Sequence, residues 1–233
     1  MYGPVGSDDD VDNCGKQMIE QVGKLFGEKK FSDVKITCGK EVFYCHRSIL
    51  SVRSPVFAAM FKSDMIENSS RIVDIKDTKP EAVKEMLHFI YHGTTSTKNV
   101  KDELVWDLLV AADQYQLNLL KNKCEEKMCS TLDVNNSVEM LVLADLHRTF
   151  KLRTMSLMLV ADNMKTIVNT DVYKEFNARH PDLALEITKA LVQKLCGVNV
   201  EDEHEDEDEN EDEDEEGGDD YRKGIRAARH YWR

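Results

Sequence analysis

Apolar and polar positions are most regularly patterned between Phe31 and Tyr91, and their period changes part-way along. Val34, Ile36 and Cys38 alternate with Asp33, Lys35 and Thr37, the two-residue period of a strand with one buried face. Gly39-Lys40 supplies a turn and Glu41 to Cys45 a second strand, so the pair predicts a hairpin. After His46-Arg47 the period lengthens. Ser54 is placed as a helix N-cap, Pro55 stands at the first helical position where its missing N–H costs nothing, and Val56, Phe57, Met60 and Phe61 share a face. A third strand, 71–75, follows a polar loop. Thr78 and Pro80 open a further helix carrying Val83, Met86, Leu87 and Ile90, and Gly93 closes it where a left-handed residue is wanted.

On either side of this stretch the pattern is helical. Between residues 11 and 30, Met18, Ile19, Val22, Leu25 and Phe26 fall on one face with Lys16, Glu20, Gln21 and Lys24 elsewhere, which predicts an amphipathic helix with no core of its own. Beyond a polar connector, 94–100, the spacing of Leu104, Val105, Leu108, Leu109 and Ala112, then of Leu119, Leu120 and Cys124, predicts two antiparallel helices. Trp106 and Tyr115 read as surface aromatics for a partner or as core, the commoner fate of such residues. From Asp133 or Asn135 onward, apolar stripes at 138–147, 152–164, 172–178 and 181–195 carry no strand signal, and Pro181 stands at a helix start. They predict an all-helical annex in which Met155, Met158 and Met164 form a Met-rich face, read as core filler ahead of a binding groove.

Charge changes this picture at the C-terminus. Of the net charge of −13, residues 201–220 contribute 16 of 44 acidic residues and residues 221–233 five of 31 basic ones, so residues 1–200 are close to neutral at −2. The acidic run cannot bury apolar surface, and disorder is expected over 197–220, as over the acidic, Gly-containing residues 1–10. The sign reverses in YRKGIRAARHYWR, 221–233. A solubilising tail is the plainest reading. The alternatives are binding of basic proteins such as histones, or folding of the basic end back onto the acids. Five cations beside so many acids argue against a nucleic-acid partner.

Candidate chemistry is sparse. Six cysteines lack C-x-x-C spacing, so neither a metal site nor a disulfide framework is expected, and reduced, mostly buried thiols are. No phosphate-cradling glycine loop or G-x-S-x-G occurs, and His147 and His180 have no carboxylate or cysteine arranged nearby in sequence. No catalytic residue, cofactor or metal is assigned. With 41% hydrophobic residues, no apolar run of membrane-spanning length and no signal-peptide pattern, the expectation is an intracellular protein, in nucleus and/or cytoplasm, with no membrane partner.

The segments FSDV, HRSIL, SPVFAAMF, a Met-Ile-Glu loop and FIYHG stand in one order at compatible spacings, and the likeness continues through LLVAADQY and LVLADLH to about residue 195. Together they resemble a BTB/POZ domain, most of all that of the speckle-type POZ protein family. The resemblance implies an α+β chain with a BTB/POZ fold, a small sheet flanked by a helical cluster, over 31–129. A dimerisation helix precedes it at 11–30, and an all-helical BACK-like (3-box) region follows over 130–196, ahead of the acidic tail. It also implies a non-enzymatic adaptor that dimerises and carries substrates to a cullin-3 ubiquitin ligase scaffold.

Site residues follow from the resemblance position by position. The helix at 11–30 would lie across a two-fold partner, anchored by Leu25, Phe26 and Phe31. The residues alone also allow packing on its own domain, but an apolar stripe ahead of a complete small domain favours the partner. Asp33 and Arg47 match an acid and a base lining a charged pocket near the dimer interface, beside the plainer reading of a structural pair that orients the hairpin. Met65 and Glu67 match a loop that inserts an apolar residue into the cullin. The same tripeptide at Met18-Ile19-Glu20 means only packing, and the polar loop around Met65 is what separates the two. The chain departs from the family in offering about 30 residues where a substrate-reading MATH sandwich of roughly 100 would stand. Client proteins are then reached through the charged tail or by pairing with a MATH-bearing paralogue. The alternative is a BTB dimerisation scaffold for transcriptional or chromatin partners, with no ligase.

Overall fold

The structure is a computed structural model that describes residues 8–62, 71–95 and 102–196. It divides into two compact units, Met1–Leu132 and Asp133–Arg233.

In the first unit the hairpin forms as the alternation predicts. Strands β1 (Val34–Cys38) and β2 (Glu41–Cys45) pair antiparallel with Val34 opposite Cys45, and Gly39 at φ 59 supplies the left-handed turn residue. β3 (Ile72–Asp74) adds to the other side of β1 in parallel, giving the order β2-β1-β3. Val34, Ile36, Cys38, Cys45 and Val73 are all buried on the inner face. The outer face carries two cross-strand rows, Tyr44–Lys35–Ile72 and Val42–Thr37–Asp74.

The helices described in this unit are α1 (Asp8–Gly23), α2 (Arg47–Arg53), α3 (Pro55–Lys62), α4 (Pro80–His92), α5 (Asp102–Gln114) and α6 (Asn118–Ser130). Ser54 caps α3 as expected. Its Oγ accepts the Phe57 amide at 3.2 Å and donates to the Tyr115 carbonyl at 2.7 Å, tying α3 to the end of α5 while itself fully buried. Phe57 stacks on Tyr115 with ring centroids 4.6 Å apart, so Tyr115 is core, as is the commoner fate of such a residue. α4 closes at Gly93, φ 70, whose amide donates to Phe89 O at 2.8 Å. Thr78 does not open α4. Lys79 holds the N-cap place, and the Thr78 hydroxyl is buried without a partner. α1 also departs from the predicted span, since at Gly23 the chain turns into bonds from Leu25 N to Val22 O and Phe26 N to Gly23 O, then to Gly27 at φ 83.

The second unit is all helical among its described residues: α7 (Ser137–Leu146), α8 (Phe150–Asp162), α9 (Met164–Ile167), α10 (Asp171–Arg179) and α11 (Pro181–Cys196). The Asp133 carboxylate accepts the amides of Asn135 and Asn136 and sets the turn into α7. Thr170 caps α10 by accepting the Tyr173 amide. Leu141, Val160, Tyr173, Phe176 and Ile187 form the core, with Met164 packed against its edge. The expectation for the Met-rich face is corrected here: Met155 and Met158 are 39% and 60% exposed, because the buried line of α8 runs instead through Leu152, Ser156 and Val160.

Candidate interaction surfaces

The N-terminal helix is held to its own unit at one end. Gly23 sits against the His92 ring, where an added Cβ would lie 2.5 Å from Cδ2, so only glycine permits the approach of α1 to α4. Phe26 packs into an aromatic cleft on α4, with its centroid 5.4 Å from Tyr91 and edge-on contacts to His88 at 5.9 Å and His92 at 6.1 Å. His88 and His92 lie one turn apart and stack at 4.0 Å. Each Nδ1 donates to a carbonyl, of Thr94 and of His88 respectively, which fixes both rings. Phe26 and Leu25 are therefore half-buried in their own unit, whereas Met18 is 66% and Ile19 49% exposed further up α1. Phe31, the third expected anchor, is 76% exposed with φ 62, a left-handed backbone that a bulky side chain rarely adopts.

Behind the cleft lies a polar cluster that sequence reasoning missed. His46 is buried. Its Nε2 donates to the Lys30 carbonyl, its Nδ1 meets the Tyr91 hydroxyl at 2.9 Å, and its amide donates to that same hydroxyl. Burial pushes the neighbouring Cys45 thiol up to about 12 and raises the Tyr91 hydroxyl well above its ordinary range. The cluster thus stays uncharged at these two groups and stitches the Lys29–Phe31 segment to α4. The signal available in sequence was the i, i+4 pair His88 and His92 beside Tyr91, all on one helix face.

Asp33 and Arg47 come together through the Arg47 main chain. The Asp33 carboxylate accepts the Arg47 amide at 2.8 Å, the first free N–H of α2, and so caps that helix from outside it. The Arg47 guanidinium donates to the Phe61 carbonyl at 2.9 Å and lies 4.9 Å from the Phe61 ring centroid. The pair thus joins the start of β1 to the start of α2 and the end of α3. Met65 and Glu67 lie outside the described residues, as do the acidic run and the basic C-terminal segment.

The rest of the chemistry is structural. Cys38, Cys45 and Cys124 are buried free thiols and Cys14 an exposed one. Among the described residues no group of three His, Cys, Asp or Glu is placed to hold a metal ion, and no helix is long and apolar enough to cross a membrane. Burial holds His180 below its ordinary pKa, opposed by Asp145, while its ring stacks on Phe176.

The family model for the BTB/POZ domain matches residues 22–132. Among solved structures the BTB domain of zebrafish PATZ1 is similar, at 19% identity and a TM-score of 0.45, covering 55% of this chain and 98% of that one. The small mixed sheet with its helical cluster is a BTB fold, followed by a helical C-terminal region.

Proposed function

Residues 22–132 being a BTB/POZ domain, a protein-interaction module, we propose that this chain is a dimeric, non-enzymatic adaptor that links a client to a cullin-3 ubiquitin ligase scaffold. The observation that carries the dimer is the state of α1. Its C-terminal end is locked to α4 by Gly23 and Phe26, while Met18, Ile19 and Phe31 are left in solvent. A helix held in place with apolar groups outward is preorganised for a second copy, since its ordering cost is already met within one chain. A matching two-fold surface would bury those three side chains.

The ligase part rests on the resemblance at Met65-Ile66-Glu67. Client recruitment through the charged C-terminal run belongs to the same proposal.

Two measurements test the two parts separately. In sedimentation, Met18→Asp with Ile19→Asp should shift the mass from dimer towards monomer, because both side chains are exposed in one copy and their change leaves its core intact. An unchanged dimer removes α1 from the interface. In a pull-down with the purified cullin-3 N-terminal region, wild type should bind and Met65→Asp should not. Failure of both proteins to bind would leave the scaffold for transcriptional or chromatin partners as the better reading.

A further inference from the structure

Phe31 has a backbone conformation and an exposure that a lone copy does not explain. The Ser32 amide donates to the Lys29 carbonyl at 3.3 Å, as does the Ser32 hydroxyl at 2.9 Å, closing a four-residue turn in which Phe31 is third. Its φ is 62 while that of Lys30 is not positive, the combination of a type II turn, which ordinarily wants glycine or asparagine in this place. A bulky side chain there is strained. Of the other non-glycine residues with positive φ, Gln116 and Arg148 stand just past the ends of α5 and α7, where a left-handed residue commonly closes a helix. Phe31 closes none, and its ring is 76% exposed.

The polar cluster behind the cleft holds the turn in this form. A type II turn differs from the unstrained type I by a flip of the peptide between its two central residues, which sends the carbonyl of the first of them to the opposite side. Here that carbonyl is Lys30 O, and it accepts a hydrogen bond from His46 Nε2 at 3.2 Å. A carbonyl can only accept, so Nε2 carries the proton and Nδ1 is left to accept from the Tyr91 hydroxyl, 2.9 Å away. That hydroxyl in turn accepts the His46 amide at 2.9 Å. The imidazole is fixed at both nitrogens, and the series Tyr91–His46–Lys30 keeps the peptide flipped. The Tyr91 ring also packs on Phe26, with centroids 5.4 Å apart, so one side chain positions both the root of α1 and the turn.

We propose that this series is a latch that presents Phe31 as an anchor for a second copy, with Tyr91 and His46 as its positioning residues. The inference rests on the dimer reading above and adds the device that shapes the surface. A second copy is the occupant because the turn is continuous, through Tyr91 and Phe26, with the locked end of α1, whose Met18 and Ile19 stand in solvent. With the latch made, Phe31 is ordered before the copies meet, and association does not have to supply the flip. With it broken, the peptide returns to type I, φ at Phe31 turns negative and the ring leaves its place. The strain at Phe31 is then part of how the surface works, held by a buried network that has no contact with the partner.

The test uses the full chain and two variants. Phe31→Gly removes the anchor and suits the left-handed position, so it leaves the fold intact. Tyr91→Phe keeps the ring that packs on Phe26 and removes the hydroxyl. By sedimentation over a concentration series, Phe31→Gly should weaken the dimer at least about tenfold. Tyr91→Phe should weaken it about fivefold or more in the parent but less than about twofold in the Phe31→Gly background, because the latch acts through the anchor. In NMR spectra of the wild type, the Lys30 Hα to Phe31 amide NOE of a type II turn should be strong, and in Tyr91→Phe it should give way to one between the two amides. A weak NOE in the wild type would overturn the inference whatever the variants do. A wild-type dimer that Phe31→Gly leaves unchanged would overturn it and spare the α1 reading, which the Met18 and Ile19 changes test. Equal weakening by Tyr91→Phe in both backgrounds would overturn it too, by reducing the hydroxyl to fold stability. A wild type that is monomeric throughout the series would remove the dimer reading and this inference together.

Discussion

Two buried hydroxyls in the first unit should respond to deletion very differently, and the reason lies in their partners. Ser54→Ala removes the cap of α3, worth about 1 kcal/mol, and leaves the Tyr115 carbonyl short of a donor in the interior, at a further 1–3 kcal/mol or so. The sum is about 2–4 kcal/mol. With a urea slope of about 2 kcal/mol/M for a unit of this size, the unfolding midpoint should fall by about 1–2 M. Thr78→Val removes a hydroxyl of similar burial that has no partner, so the midpoint should stay or rise slightly. Trp106 on α5 gives the signal. The other tryptophan, Trp232, is changed to Phe in every protein compared, so that fluorescence reports the first unit alone. A Ser54→Ala midpoint within about 0.3 M of the parent would refute the bookkeeping, because the bond to Tyr115 would then contribute nothing net. A comparable loss in Thr78→Val would refute it as well, by showing that burial and not pairing sets the cost.

Three other outcomes can be checked independently. Iodoacetamide at pH 8 should label Cys14 and spare Cys45 and Cys124 in the native protein: burial raises both thiols to about 12, so only about one molecule in ten thousand presents either thiolate, and early labelling at Cys45 would contradict this. Gly23→Ala should push the His92 ring off its stack on His88 and loosen the hold on Phe26, speeding amide exchange through α1 by tenfold or more, while β1 and α5 exchange as before; unchanged exchange in α1 would mean that α4 does not hold it. Arg153→Met removes bonds to Asp145 at 2.9 Å and Glu186 at 2.6 Å that are 30–44% exposed, so it should cost about 1 kcal/mol or less and lower the thermal midpoint by a few degrees at low salt; a loss of the same size at high salt would rule out an ionic origin.

What could be read from the sequence was whatever a local period or a local cap decides. The hairpin register follows from strict alternation between Asp33 and Cys38, and both Ser54 and Gly93 act at the positions their chemistry suits. Reading failed where distant residues decide. Thr78 has the side chain of a cap, but the cap place went to the next residue. The apolar spacing of Val22, Leu25 and Phe26 suits a continuous helix, yet the chain turns after Gly23 because Gly27 adopts a positive φ and Phe26 finds its cleft on α4 only from a turn. Asp33 and Arg47 were singled out as an acid and a base, and Asp33 makes its hydrogen bond to the Arg47 main chain. That a carboxylate would meet an amide, capping a helix 14 residues on, could not be read, since an N-cap search looks only at the residue before the helix. The turn at Phe31 escaped notice for a related reason. Its form depends on a hydrogen bond from His46 to the Lys30 carbonyl 16 residues back, which no local pattern shows.

The mixed pairing of β1 sets an order of events during synthesis. Its antiparallel neighbour is complete once Cys45 has left the ribosome, but its parallel neighbour ends 29 residues later at Asp74. At 5–20 residues per second that is an interval of about 1.5–6 s. Throughout it the nascent hairpin carries an unpaired, apolar-rich flank, Val34 to Cys38, of the kind that joins neighbouring chains edge to edge. Newly made copies on one messenger are closest together during those seconds, so crowding on the polysome is where this protein is most exposed to mispairing.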